Sequence, residues 1–474
     1  MVPADEDGGL MRMDLLSHPI EGLEAALDAV DAFDSTLVQG LLRPRPAQGA
    51  ALARLADAVA GTPLGGRVAE VSARVAAGAA GEDDFVALAA ARESLLGSVH
   101  DALTARIDEA AGRARSEGPT DGVVGLREHA PHLLAASRTW LCDLARRGWR
   151  GIDHELVSGA GPVVSAMLPD LALRRPATLL DGFVAELAAS CPGATLEHLP
   201  VRRWADLWSR AVLLTVPGAI VAPAAEAATG RLLPIGVDLQ EHATAVQAQV
   251  HAVFEPAGDG PSRLVRAGVS APKPDTVVGA GVWQLLRPRL SLLAAVSEGR
   301  SMDLDAMPVT AEGDLLWDDA RARPGGPADA FATARVTLSA ATADPVAPLD
   351  RHPVRIAVPV LFEGYAARSE GGRLAFDVGG SPLTVDMDRV TSAGPLTPEA
   401  VVASRACIAL LRWDAGQFRL QPLAVETTVR KKAVAVHAGA WAGGTTDKAG
   451  VRAEKAATDA VAVLRERAGK LLRK

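Results

Sequence analysis

Carboxylates and a few histidines are the residues of this chain best suited to chemistry. Asp303 and Asp305 stand two apart, Asp314, Asp318 and Asp319 surround Trp317, and Asp386 and Asp388 end a run of alternating residues. Alternate residues of a strand share a face, so such pairs suit a hard cation or an acid and base working together. His251 and His352 are the imidazoles such carboxylates would use to move a proton. A polar strand face and a surface histidine explain the same residues without any reaction, and His251 is expected on the wet face of its strand. His242, with Asp238 and Glu241 just before it, lies near the start of the same strand. His129 and His132, in EHAPHLL with Glu128, are three apart. With Pro131 at the start of a helix their rings need not converge, and no third ligand can be named, so solvated cap residues are expected.

The stretch TVVGAGVWQLL, residues 276–286, imitates a dinucleotide fingerprint through Gly279 and Gly281, with Asp303 or Asp305 about twenty residues on. Gln284 stands where the third glycine belongs, and the surroundings are antiparallel strand signals rather than a βαβ unit, so a turn is expected. Cys142, Cys191 and Cys407 lie too far apart to frame a metal or disulfide set and are expected as reduced, mostly buried thiols. GxSxG, HExxH, GxxxxGK[ST] and DxDxDG are all missing, which weighs against the commonest hydrolases, zincins and P-loop proteins. No cofactor and no metal is expected.

These residues hang on a chain that changes character midway. Up to about residue 230 the apolar residues recur at helical spacing: Leu15, Leu16, Ile20, Leu23, Leu27, Val30 and Leu37 form one stripe with a break at Pro19. Pro44 and Pro46 end it; residues 51–60, 67–77 and 85–114 follow, and SEGPTDG (116–122) closes the group. A second group contains Leu133, Leu134, Trp140, Leu141 and Leu144, ending at Arg146, Arg147 and Gly148, then 153–168, 176–189 and 201–214. The tryptophans of RRWADLWSRAVLLT are read as core. From residue 244 to 254 the period becomes two, the mark of a strand, with RLVRAGVS as its partner. RLLPIGVDLQEH just before is left open as helix, and the β core is expected to start near Thr244. Residues 331–340 and 354–362 also alternate, and 373–388 and 407–425 read as hairpins. Residues 277–296, helical in their second part, and the acidic, Gly- and Pro-rich span 302–330 are expected to interrupt the sheet.

With 474 residues, 49% hydrophobic and 22% charged, the chain can bury more than one core. Its formal charge of -8 argues against a general nucleic-acid or membrane coat. The charge is uneven: residues 430–474 hold eleven Lys or Arg against four Asp or Glu. That tail, helical from about Asp447 with Val451, Val461, Leu464, Ala468, Leu471 and Leu472 along one side, is expected to dock on the acidic body. Nucleic-acid binding through it is disfavoured, because Trp441 is its only aromatic residue. The amino terminus is acidic where a secretory leader would be basic and no long apolar run follows, so a cytoplasmic protein without a membrane partner is expected.

RRWADLWSRAVLLT, RLLPIGVDLQEHATAVQAQVHAVFE and LLRWDAGQFRLQPLAVE resemble segments of uncharacterised actinobacterial accessory proteins. These are encoded with SWIM zinc-finger proteins, MoxR-type AAA+ ATPases and von Willebrand A domain proteins. The resemblance covers residues 126–425 and rests on hydrophobic words. The CxC and CxH of a SWIM site are absent, so no zinc ligand carries over. It implies a non-catalytic component with protein partners, an AAA+ ATPase among them, and names no functional residue.

The expected fold class is α+β, multidomain. It comprises an N-terminal irregular α-helical bundle in two groups (1–118 and 119–230), a C-terminal antiparallel β-barrel or sandwich (231–429) and a basic C-terminal helix (430–474). The favoured function is an adaptor or scaffold. The alternative is an enzyme with a carboxylate site between the helical and β regions, using Asp303, Asp305, Asp386 or Asp388 with His251 or His352.

Overall fold

A computed structural model describes residues 11–113, 130–220, 225–242, 244–274, 277–286, 291–343, 346–378, 380–446 and 448–471. SEGPTDG, Glu128 and His129 lie outside the described residues.

The apolar stripes of the first half wind into helices: α1 (Met13–Ser17), α2 (Leu23–Gln39), α3 (Pro46–Ala58), α4 (Gly65–Ala76), α5 (Glu82–Ala111) and α6 (Pro131–Arg147). The short α7 (His154–Ser158) and α8 (Gly161–Met167) follow, then α9 (Arg174–Ala189) and α10 (Val201–Leu214). Pro46 opens α3 rather than ending the helix before it, because a residue without an N–H loses nothing at the first helical position. Three acids enter α5, and Asp84 accepts from the Gly81 amide at 2.9 Å, complementing the helix dipole. Asp153 caps α7 by accepting from Leu156 N at 2.7 Å. The tryptophans are core: Trp204 lies edge-on to Trp149 with centroids 5.8 Å apart, and Trp208 Nε1 donates to the Leu141 carbonyl at 3.0 Å. α2 and α6 both end on glycines, Gly40 and Gly148, at φ of 78° and 75°. Leu41 N and Leu42 N then donate to the carbonyls of Ala145 and Arg146 at 2.9 and 3.1 Å, which brings the two glycines into backbone contact.

The strand region begins at Ala225, earlier than Thr244. β1 (Ala225–Glu241) pairs antiparallel with β2 (Ala245–Pro256), and β2 with β3 (Arg263–Pro272). RLLPIGVDLQE is thus strand; from Leu232 to Leu239 residues on both of its faces are buried, which erases the alternation that would have marked it. α11 (Val282–Leu286) and α12 (Ser291–Glu298) precede β4 (Arg300–Thr310), β5 (Asp314–Leu315) and β6 (Ala322–Pro327), so the span 302–330 extends the sheet instead of interrupting it. The order β1, β2, β3, β5, β4 returns to β1 and closes a ring, with β6 added to β4.

Residues 331–340 are helical, not a strand. Asp329 accepts from the amides of Phe331 and Ala332 at 2.8 and 3.2 Å, starting α13 (Ala330–Thr333) and a π turn over Ala334–Leu338. Phe331, Ala334 and Leu338 then fall on one buried face. β7 (Thr342–Ala343) joins β3 in parallel. The second sheet contains β8 (Val358–Glu363), β9 (Ala366–Glu370), β10 (Arg373–Val378) and β11 (Ser381–Val385). After α14 (Pro398–Val402) come β12 (Ser404–Asp414), β13 (Gln417–Val429) and β14 (Lys432–His437). Residues 354–357 precede β8 and are not strand, while both expected hairpins form, β10 with β11 and β12 with β13. This sheet is open, in the order β8, β12, β13, β11, β10, β9, and β14 extends β13. α15 (Lys448–Leu471) ends the described chain.

The chain is α+β and multidomain, helical in its N-terminal region with two sheets in its C-terminal region. One core fills the helical region and one the ring, where Trp283 is fully buried. A third lies on the open sheet and is covered by α1 and by Val99, Leu103, Ile107 and Ala110 from the second half of α5. The two sheets meet through Leu233, Ile235 and Val253 on one side and Ala406, Ile408 and Ala424 on the other. They approach so closely that a Cβ on Gly236 would stand 2.7 Å from Leu423 Cβ. Among the described residues no helix is long and apolar enough to cross a membrane.

Candidate functional site

Two charged networks lie where these units join. The first starts at Arg92, set in the apolar run of α5 and almost wholly buried. Its guanidinium makes a fork on Asp34 of α2 at 2.7 and 2.8 Å, donates to Glu93 at 2.8 Å, and reaches Asp206 of α10 at 2.5 Å. Ser209 donates to Glu93 at 2.5 Å. Three carboxylates thus share one guanidinium. Burial pushes the Asp34 carboxyl up to about 6 against the pull of Arg92, while Asp206 and Asp31 add repulsion. Burial would raise Asp206 too, but His352 and Arg92 outweigh it and leave that carboxyl lowered. His352 Nε2 stands 3.3 Å from Asp206.

His352 belongs to the segment that leads into β8, and this segment carries the open edge of the network. Its Asp350 receives Arg175 of α9 at 3.0 Å, Arg210 of α10 at 3.4 Å and Arg355 at 2.5 Å. Arg351 pairs with Asp101 of α5 at 3.2 Å. The inner end, Arg92 with Asp34, is closed to solvent and can only hold the helices together. The outer end, around Asp350, faces water.

The second network lies between the sheets. Asp238 of β1 accepts from Arg412 of β12 at 2.8 Å and from Gln421 of β13 at 2.7 Å, and Arg412 also donates to Gln421 at 2.5 Å. His251 borders it and is only 5% exposed, so it is not on a wet face. The second sheet covers the outer side of β2, which alternation alone cannot reveal. Burial lowers the His251 imidazole to about 4, Arg266 and Arg412 add to that effect, and Asp238 opposes it.

The two buried groups pull stability in opposite directions between about pH 4 and 6. Asp34 titrates at 3.8 in its ordinary state and at about 6 when folded, so the folded chain holds the extra proton and stability falls as pH rises through that window. His251 moves from 6.5 to about 4, so the unfolded chain holds the extra proton and stability rises with pH. Each effect is worth about 3 kcal/mol, and they nearly cancel. His251→Gln is expected to leave the Asp34 effect unopposed, giving a variant that loses urea resistance from pH 4.5 to 6.5 relative to the parent, by about 2 kcal/mol. Parallel pH profiles for the two proteins would refute this origin.

The carboxylates singled out in the sequence are not brought together. Asp303 and Asp305 are exposed on β4, where Asp303 faces Arg231 on one neighbouring strand and Arg323 on the other. Asp314 pairs with Arg266, Asp318 accepts from Ala320 N at 3.0 Å, and Asp319 accepts from Trp317 Nε1 at 2.9 Å and Ser291 Oγ at 2.8 Å. Asp386 and Asp388 do not share a strand face. β11 ends at Val385, and they fall at a tight turn where Asp386 meets Arg389 at 3.1 Å and Asp388 is exposed. His132 and His242 are exposed. Among the described residues no three His, Cys, Asp or Glu side chains could hold a metal ion. Cys142 and Cys407 are buried and Cys191 half-buried; burial raises all three thiols, Cys142 to about 12.

The glycine-rich stretch seats the tail. Gly279–Gly281 forms a tight turn after β3, and α15 rests there. Gln284 Nε2 donates to Glu454 O at 3.0 Å, and Thr458 donates to Gln284 Oε1 at 2.9 Å. Val451, expected on the inner side of the tail, is exposed. Family models, curated proteins and solved structures all return no match to this chain.

Proposed function

We propose that the chain is a non-catalytic, cytoplasmic adaptor, an accessory to an AAA+ ATPase, that grips an acidic partner segment along β14. One observation carries this reading. Beyond the open sheet, β13 and β14 continue as a ribbon whose residues from Thr428 to Ala435 are all exposed. The ribbon turns through Arg430 and Lys431 at φ of 50° and 66°, next to Lys432. Val429 and Val434 stand 52% and 41% exposed on it. Among the described residues β14 has a strand neighbour on one side only. An open strand edge offers backbone hydrogen bonds to an extended peptide, and three cations at its tip favour an acidic one. α15, also rich in Lys and Arg, begins at Lys448, with ten residues between it and the end of β14.

Tagged full-length protein, recovered from its host, is expected to bring down a stoichiometric ATPase-containing complex. Replacing Arg430, Lys431 and Lys432 together by Glu is expected to remove that complex while leaving the circular dichroism and melting temperature unchanged, since the ribbon tip touches no core. Retention of the complex by the triple variant would overturn the assignment of β14. A chain that recovers no stoichiometric partner would overturn the adaptor reading itself.

A further inference from the structure

Asp350 is gripped by more cation than it can neutralise. Arg175 reaches it through Nη2 alone, Arg355 through Nη1 alone and Arg210 through Nη2. A guanidinium carries five N–H donors in a planar fork, so each of the three has donors to spare. Arg210 Nε is buried and has no hydrogen-bond partner, an arrangement that costs free energy unless something else supplies an acceptor. Glu93 lies near Arg210, but it is already held by Arg92 and Ser209. Arg210 is further depressed by burial and by Arg355 and Arg175, the mark of guanidinium groups crowded around too little negative charge. The cluster is reachable: the side chains of Arg175, Arg355 and Asp350 are 51%, 44% and 27% exposed.

We propose that Arg175, Arg210 and Arg355 form a binding site for a dianionic phosphoryl group, and that Asp350 occupies this site as an internal stand-in when no ligand is present. Three guanidinium forks match a tetrahedral dianion, with its three terminal oxygens, better than one planar carboxylate. The arginines come from α9, α10 and the segment leading into β8, so the ligand would tie that segment to the helical region. The site is independent of the ribbon and of the adaptor reading.

The test is a phosphorus NMR and calorimetric titration of the full chain with inorganic phosphate and, separately, with a nucleoside monophosphate. Both are run at constant ionic strength against chloride. Saturable binding is expected. Binding of both ligands would mean that the bare dianion suffices, and binding of the monophosphate alone that the site reads an ester; either supports the site. Arg355→Gln, at a half-exposed position, is expected to weaken binding about tenfold by removing one charge-assisted donor. Asp350→Asn removes the competing carboxylate and is expected to tighten binding about tenfold, a direction that a merely structural aspartate would not produce. Absence of saturable binding by the parent and by Asp350→Asn overturns the proposal. So does binding whose affinity neither substitution moves.

Discussion

Arg92→Met is expected to lose about 3–5 kcal/mol of folding stability near neutral pH, one of the largest effects that a single side chain of this protein can produce. Methionine keeps much of the apolar stem, so packing changes little, but Asp34, Glu93 and Asp206 are left with no guanidinium between them. Two of these carboxylates are nearly closed to solvent, and ionised groups in that position repel one another without water to screen them. The folded chain escapes by taking up protons. Asp34, already pushed up to about 6 beside Arg92, rises further without it, so the lost stability returns as pH falls below neutral. Urea unfolding at neutral and mildly acidic pH measures this directly, and a loss that does not change with pH would point to packing instead. Asp34→Asn made in the same background should recover part of the loss, so the double variant is expected to be more stable than the two single losses added together.

Gly148→Ala is expected to cost about 3–5 kcal/mol for a different reason, and one that no pH change relieves. The residue sits at φ 75° and ψ 170°, a backbone region open essentially to glycine alone. A Cβ there would also stand 2.6 Å from both the Gln39 carbonyl carbon and the Gly40 Cα, atoms of a backbone that cannot turn aside. Gly40→Ala meets the same wall from the other side, 2.6 Å from the Arg147 carbonyl oxygen. Gly112, at the end of α5, is the control. It too has a positive φ, 65°, but a Cβ there meets nothing within 4 Å, so Gly112→Ala should cost only about 1 kcal/mol. Thermal melts of the three variants are expected to rank Gly148 and Gly40, where a forbidden backbone region and close contact combine, well above Gly112, which lies in the left-handed helical region with open space around it. Similar losses at Gly148 and Gly112 would overturn both the conformational and the contact argument.

Local patterns carried the element types where one face of an element meets water. The first half of β2, β3 and the hairpin of β10 and β11 alternate because their outer residues are partly wet, whereas β12 and most of β13 are buried on both faces, and α2 and α10 keep clean stripes because one side meets solvent. β1 was hidden by burial on both faces, from the ring inside and from the second sheet outside. β4 was hidden by Ala306, at φ 50°, whose amide leaves the ladder to meet Thr229 Oγ1, so Asp305 and Ala306 bulge and the alternation slips. Residues 331–340 alternate by coincidence, and the capping Asp329 was the better guide. The charged networks were out of reach for a simpler reason: Arg92 meets partners 58 and 114 residues away, and Gln421 meets Asp238 across 183. A trace of the first was still present. Arg92 and Glu93 interrupt the apolar run of α5, and Asp34 lies at helical spacing between Val30 and Leu37, where only a paired charge is tolerated.

α5 runs about 45 Å as a single rod of 30 residues. Its first half is a wall of the helical core, and its second half, from Val99 to Ala110, is the lid of the open sheet. The two cores are therefore not separate melting units. Opening either one strips apolar surface from a helix the other needs, so the chain should unfold with one shared transition across the helical region and the second sheet. Protease-resistant fragments that keep one without the other should be short-lived.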